Sequence, residues 1–140
     1  MLRIELLAWE RARAEASRIR TVVFVEEQRV PPEIELDEMD AASLHALAFF
    51  GDRAVGTGRL LPDGHIGRMA VLREARSQGV GSAILERLVA EAGRRGLQEA
   101  VLSAQTHALR FYHRHGFTPV GAVYVEAGIP HQEMRRVLKA

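Results

Sequence analysis

Apolar residues recur along this chain with two periods, and the switches between them mark its elements. Leu2 to Trp9 predicts a first strand. Trp9, Ala12, Ala16, Ile19 and Val23 then fall three and four apart, with Arg11, Arg13, Glu15 and Arg18 between them. That spacing predicts a helix over residues 10 to 25, frayed at its end by the β-branched and aromatic run Val22 to Val25. Residues 26 to 40 are acidic and broken by Pro31-Pro32, which predicts a loop with a short helix. Three strand-like runs follow: Leu44 to Phe50, Ala54 to Leu61 and His65 to Leu72. Gly51-Asp52-Arg53 and Pro62-Asp63-Gly64 join them, and connectors this short predict an antiparallel meander. Gly81 to Arg95 carries the clearest helical stripe, Ile84, Leu85, Leu88, Val89 and Ala92, closed by Gly96. A strand over Ala100 to Ala104, a helix over Thr106 to His115 ending at Gly116, and strands over Phe117 to Val125 and Gln132 to Leu138 complete the chain. The order predicts an α+β (mixed α/β) architecture with helices on a central sheet.

Composition narrows this picture. With 140 residues and no repeat or linker, one domain over 1–140 is expected. The chain is 47% hydrophobic and 26% charged, enough apolar side chain to offset the ordering entropy of a folded core. Nineteen Lys and Arg against eighteen Asp and Glu leave a net charge of +1, without the basic excess of a general nucleic-acid binder. The absence of cysteine excludes disulfides, thiolate metal sites and a covalent cysteine intermediate. Met1 to Glu5 opens no secretory leader, and no run approaches the roughly 20 apolar residues of a membrane span, so a cytoplasmic location without membrane partners is expected.

The chemistry begins at Arg76-Ser77-Gln78-Gly79-Val80-Gly81-Ser82, which follows a predicted strand and opens the clearest helix. Several backbone amides there lack intrahelical partners, the helix dipole is positive, and the glycines let an anion approach the main chain. Arg76 adds a bidentate donor. The segment reads as a phosphate or diphosphate cradle. It lacks the Gly-Lys-Ser/Thr ending of a Walker loop, and Ile84 stands where a dinucleotide-binding loop needs a small residue. The competing reading is a helix start whose glycines serve packing alone.

Arg76-x-x-Gly79-x-Gly81, then a helix, a strand and Phe111-Tyr112-x-x-x-Gly116-Phe117, resembles the GCN5-related N-acetyltransferases (GNAT). Val23-Phe24-Val25-Glu26-Glu27-Gln28-x-Val30-Pro31, with Asp37 and Asp40 beyond, and Glu126-Ala127-Gly128-Ile129-Pro130-His131 are similar to the ElaA/YjcF-like branch. The resemblance spans nearly the whole chain in matching order. It implies a mostly antiparallel sheet flanked by helices, and an acetyl-CoA cosubstrate held without a metal. Gln78, Gly79, Val80, Gly81 and Ser82 would cradle its diphosphate. The pantetheine arm would lie along Met69, Ala70 and Val71, with the amide of Met69 or Ala70 polarising the thioester carbonyl. Tyr112 would protonate the departing thiolate. Gln105 stands where many members carry Asn, a longer amide in a pantetheine-contacting position.

The implied reaction is direct transfer of an acetyl group to an amine of a small molecule or peptide. A Lys-type amine costs roughly 4.6 kcal/mol to deprotonate at neutral pH, an α-amine only about 1 kcal/mol, so a basic acceptor needs a general base or a water relay. Glu26, Glu27, Glu126 and His131 are the candidates; the reference behaviour of an imidazole suits proton transfer, which favours a histidine. Glu26, Glu27, Asp37 and Asp40 further suggest an acidic entrance that would attract a cation. His107, His113 and His115 do not suggest a metal site, since 113 and 115 point about 200° apart on a helix, and they are read as surface residues. Two other readings stand beside catalysis: a coenzyme A sensor of the same fold without turnover, and a protein-interaction domain. Exposed strand edges leave a homodimer open.

Overall fold

The computed structural model describes residues 1–35 and 37–139; Leu36, inside the expected acidic loop, and the terminal Ala140 lie outside the described residues. The strands are β1 (Leu2–Ala8), β2 (Leu44–Phe50), β3 (Arg53–Leu60), β4 (His65–Val71), β5 (Glu99–Gln105), β6 (Thr118–Glu126) and β7 (Ile129–Val137). The helices are α1 (Trp9–Arg20), the four-residue α2 (Pro32–Glu35), α3 (Val80–Arg94) and α4 (Leu109–Arg114). All strands join one sheet in the order β1-β2-β3-β4-β5-β7-β6. Neighbours are antiparallel except β4 and β5, which run parallel. The predicted meander is therefore β2-β3-β4, and the sheet is a mixed one with helices on both faces.

Helix α3 covers one face. Ile84, Leu85, Leu88 and Val89 pack with Ala46, Ala48, Val55, Leu60 and Ile66 into the main core. Two glycines of β3 allow that approach: a Cβ on Gly56 would stand 2.9 Å from both Ile84 Cδ1 and Val80 Cγ1, and one on Gly58 2.9 Å from Ile84 Cγ2. Helix α1 covers the other face through Ala12, Ala16 and Ile19, against Leu47 and Ala54. Strand β2 alternates between the two layers, Ala46 and Ala48 toward α3 and Leu47 toward α1, which explains its unbroken apolar run.

Where helix fraying is expected, the chain instead widens into a π-helical turn over Thr21–Glu27, closed by Gln28 N–H donating to Val23 O at 3.0 Å. The short helix and a 3₁₀ turn (Glu38–Ala42) appear in the acidic stretch as expected. Helix α4 is shorter than the predicted 106–115, because residues 106–108 form a 3₁₀ turn before it.

Candidate active site

The site lies where β4 and β5 part. Among the described residues the two strands pair only at His65↔Val101 and Ile66↔Leu102, and no backbone pairing follows. On its other side β4 stays paired to β3, with a bulge that sets Arg68 and Met69 opposite Gly58. Arg68 takes the left-handed region at φ 49, a conformation unfavourable for a side chain and found where surrounding contacts enforce it. Leu72 N–H donates to Val55 O at 2.9 Å, toward β3. Alternation along an antiparallel strand then turns the Ala70 amide toward β3 and the Val71 amide toward the opening, while the bulge takes Met69 out of the regular ladder.

Two cavities meet along this opening. A cleft of about 480 Å³ runs from Met69, Ala70 and Val71 to the α3 head, Ser77 and Gly79 to Ser82, with Phe111, Tyr112 and Arg114 opposite. Gly79 stands at φ 81 and Ser77 at φ 63, and a Cβ on Gly79 would meet nothing within 4 Å. The left-handed turns gather main-chain amides at the positive end of α3, open to solvent: a concave anion site of the kind a diphosphate fits. Gln78 is exposed; it bonds the Glu74 carbonyl and contributes no lining side chain.

The second cavity, about 800 Å³, is lined by Phe24, Glu27, Gln28, Glu35, Asp37, Arg68, Gln105, Glu126 and His131 among others. Met69, Ala70, Val71, Arg76, Ala108 and Tyr112 line both. The Tyr112 ring is held edge-on by Phe111 (5.1 Å, 77°) and Phe117 (6.1 Å, 73°), and burial pushes its hydroxyl up to about 12. His131 is buried, and its Nδ1 lies 2.7 Å from Ile129 O. A carbonyl only accepts, so Nδ1 carries the hydrogen of that bond. Gln105 forms a reciprocal amide pair with Gln28, at 2.9 and 3.4 Å.

Four expectations change. Glu26 is exposed and outside both cavities, because the π turn sends its neighbour Glu27 inward instead. Glu27 grips Arg76 through two hydrogen bonds of 2.7 and 2.9 Å, and those bonds hold its carboxyl below the usual range despite burial, the opposite of what a general base needs. The acidic entrance is neutralised. Arg20 pairs with Glu35 and Asp40, Arg59 with Asp37 and Asp40, and Arg68 with Asp37. Of the four carboxylates on the second cavity, Glu126 alone has no ion-pair partner among the described residues. His115, read as a surface residue, is also enclosed, between Ser82 and Glu86. No signal in the sequence marked Arg68 or the Arg20 and Arg59 pairs, whose partners lie 15 to 31 residues away. Among the described residues no group of three His, Asp or Glu could hold a metal ion, and no helix is long and apolar enough to cross a membrane.

A parted β4–β5 pair leading to a glycine-bearing helix head, within this strand order, defines the acyl-CoA N-acyltransferase fold. An acyl-CoA N-acyltransferase from Pseudomonas aeruginosa superposes with a TM-score of 0.82 at 35% identity, covering 97% of this chain and 99% of that one. The crystal structure of Escherichia coli ElaA superposes with a TM-score of 0.85 at 28% identity, covering 97% and 99%. The uncharacterized N-acetyltransferase YjcF of Bacillus subtilis is 39% identical over 126 residues, 87% of this chain and 90% of that protein. The sequence profile of the acetyltransferase (GNAT) domain matches residues 13–138, and the chain belongs to this family.

Proposed function

We propose that this chain transfers an acetyl group from acetyl-CoA directly to the amine of a small molecule or peptide. One observation carries the reading: the diphosphate-shaped cleft and the acceptor cavity are continuous through Met69, Ala70, Val71 and Tyr112. An acyl-CoA brings an activated thioester to that junction. The amides of residues 77–82 hold its diphosphate, and the Val71 and Met69 amides bond its arm as a missing strand would. Of the two candidates, Ala70 is turned to β3, which leaves the Met69 amide, released from the ladder by the bulge, to polarise the carbonyl.

His131 takes the proton of the incoming amine on Nε2, the lone pair that its bond to Ile129 leaves free. It fits the role better than Glu27, which Arg76 holds ionised, or Glu26, which lies outside. Tyr112, at about 12, stands some 3.5 pH units above a thiol's reference value, so full proton transfer to the thiolate is uphill by roughly 5 kcal/mol. Its hydroxyl instead donates a charge-assisted hydrogen bond to the leaving sulfur and stays protonated while doing so. Gln28 and Gln105 present paired amides to the acceptor or the arm. Strand β6 is exposed along its length, with Val123 at 55% and Val125 at 71%, an edge suited to pairing with a second copy.

The test is free-thiol release from acetyl-CoA across a panel of amines, beside calorimetry with coenzyme A. Saturable binding with release for at least one amine class is expected. Binding with no release for any amine identifies a sensor; no saturable binding leaves an interaction domain. Either result overturns the proposal.

A further inference from the structure

A hydrogen-bonded chain at the head of α3 has no part in the scheme above. Ser82 Oγ lies 2.9 Å from His115 Nε2, and His115 Nδ1 lies 2.6 Å from Glu86 Oε2. Arg136 Nη1 donates to both Glu86 carboxylate oxygens, at 3.3 and 3.2 Å, and to the His115 carbonyl at 2.9 Å. Three elements converge here: α3 supplies Ser82 and Glu86 one turn apart, the end of α4 supplies His115, and β7 supplies Arg136. The imidazole is packed against Phe111 at 5.1 Å, with its side chain only 16% exposed. Arg114, its chain neighbour, and Ser82 both line the cleft. The charged groups in contact with His115 are Glu86, at Nδ1, and Arg136, which bonds both Glu86 and the His115 carbonyl.

The protons in this chain can be assigned. Burial works to raise the Glu86 carboxyl, yet its bonds to His115 and Arg136 outweigh that and hold it low. A carboxylate only accepts, so His115 Nδ1 carries a hydrogen. The variable position is Nε2. With the ring neutral, Nε2 accepts the Ser82 O–H, and the serine offers the cleft only lone pairs. With the ring protonated, Nε2–H donates to Ser82 Oγ, and the serine hydrogen is free to point into the cleft. An anion at the helix head is repelled by the first arrangement and bonded by the second.

We propose that His115 and Glu86 are positioning residues for the bound diphosphate: its arrival draws a proton from solvent onto His115 Nε2, and this releases the Ser82 hydroxyl to donate to a phosphoryl oxygen. The proposal rests on the acyl-CoA reading and adds to it a proton that binds with the cofactor. The three residue types are those of a nucleophilic triad. Ser82, however, lines the cofactor cleft and not the acceptor cavity, so here the chain acts on an anion and not on an acyl carbon.

Calorimetry in two buffers of different ionisation heat counts that proton. Dephospho-coenzyme A is the probe, since its diphosphate does not titrate near neutrality while the monoester of coenzyme A does. The wild type is expected to take up a fraction of a proton on binding. His115→Gln and Ser82→Ala should each abolish the uptake and weaken binding about tenfold, as for one lost charge-assisted hydrogen bond. Acetyl-pantetheine, which lacks the diphosphate, should bind without uptake. A variant harmed only in packing would lose thermal stability and keep the wild-type proton count. Uptake unchanged in both variants, or binding by the wild type without uptake, overturns the relay alone. Failure of the wild type to bind any coenzyme A compound overturns the acyl-CoA reading and the relay with it.

Discussion

Tyr112 shows how far a residue's surroundings change its chemistry. As a free phenol it would sit only about 2 kcal/mol above a thiol in proton affinity; pushed up to about 12 by burial it becomes a donor that does not ionise. Tyr112→Phe should therefore lower kcat by about 10- to 100-fold, as for a lost bond to a charged group, and leave coenzyme A affinity unchanged. Equal loss in kcat and in affinity would show that the hydroxyl serves binding instead. Arg76 is the converse case. Its type and place made it a phosphate donor on the page of the sequence, but Glu27, 49 residues away, already holds its guanidinium. An anion entering the cleft must compete with that carboxylate. Glu27→Gln should tighten coenzyme A binding severalfold at low salt, with the gain shrinking as salt is added, since the pair is partly exposed. Weaker binding in this variant would mean that Glu27 is needed to aim Arg76. The residue types at the site were readable in the sequence; which of them neutralise one another was not, because ion pairing depends on contacts across the fold.

At the scale of elements, local pattern was enough where one element follows one period. The stripe of α3 and the turns of the β2-β3-β4 meander are properties of neighbouring residues, and they appear within a residue or two of expectation. The pattern failed where geometry changes mid-element: the π turn reads as a frayed helix, yet it decides that Glu27 and not Glu26 enters the cavity. The β3 glycines also look like strand weakeners in sequence and are contact points in the fold. Gly56→Ala would place a methyl 2.9 Å from the stiff Val80 side chain and from Ile84, and should destabilise the protein by about 1–3 kcal/mol in urea unfolding. Val80 heads α3 and lines the cleft, so this variant should also bind coenzyme A more weakly. Gly93→Ala on the same helix, with nothing within 4 Å, should instead stabilise by about 0.5–1 kcal/mol. A Gly56→Ala variant as stable as the wild type would mean that the β3–α3 approach gives way to admit the methyl.

Across the whole molecule, the six charges of Arg20, Arg59, Arg68, Glu35, Asp37 and Asp40 tie α1, α2, β3 and β4 together, and Glu35, Asp37 and Arg68 of them line the second cavity. Arg20 and Asp40 are buried, and Arg20 also lies 5.5 Å over the Trp9 ring. Such a cluster is balanced, three against three, and removing one member leaves another charge buried without compensation. Asp37 reports on it through pH. Hydrogen bonding to Arg59 holds its carboxyl at about 2, against 3.8 when unperturbed. The folded protein thus prefers the ionised form. The stabilisation, about 2 kcal/mol, is fully present above the unfolded value near 4 and is lost as pH falls through 2. Asp37→Asn cannot ionise and lacks this pH-dependent share. Wild type should exceed the variant by about 2 kcal/mol at pH 7, and the two should converge between pH 4 and pH 2 when urea unfolding is repeated down that range. A gap that persists unchanged at pH 2 would assign the Asp37 contribution to shape and neutral hydrogen bonding. Convergence would show that Asp37 stabilises the fold through its charge, paired with Arg59 and Arg68, and not through its shape.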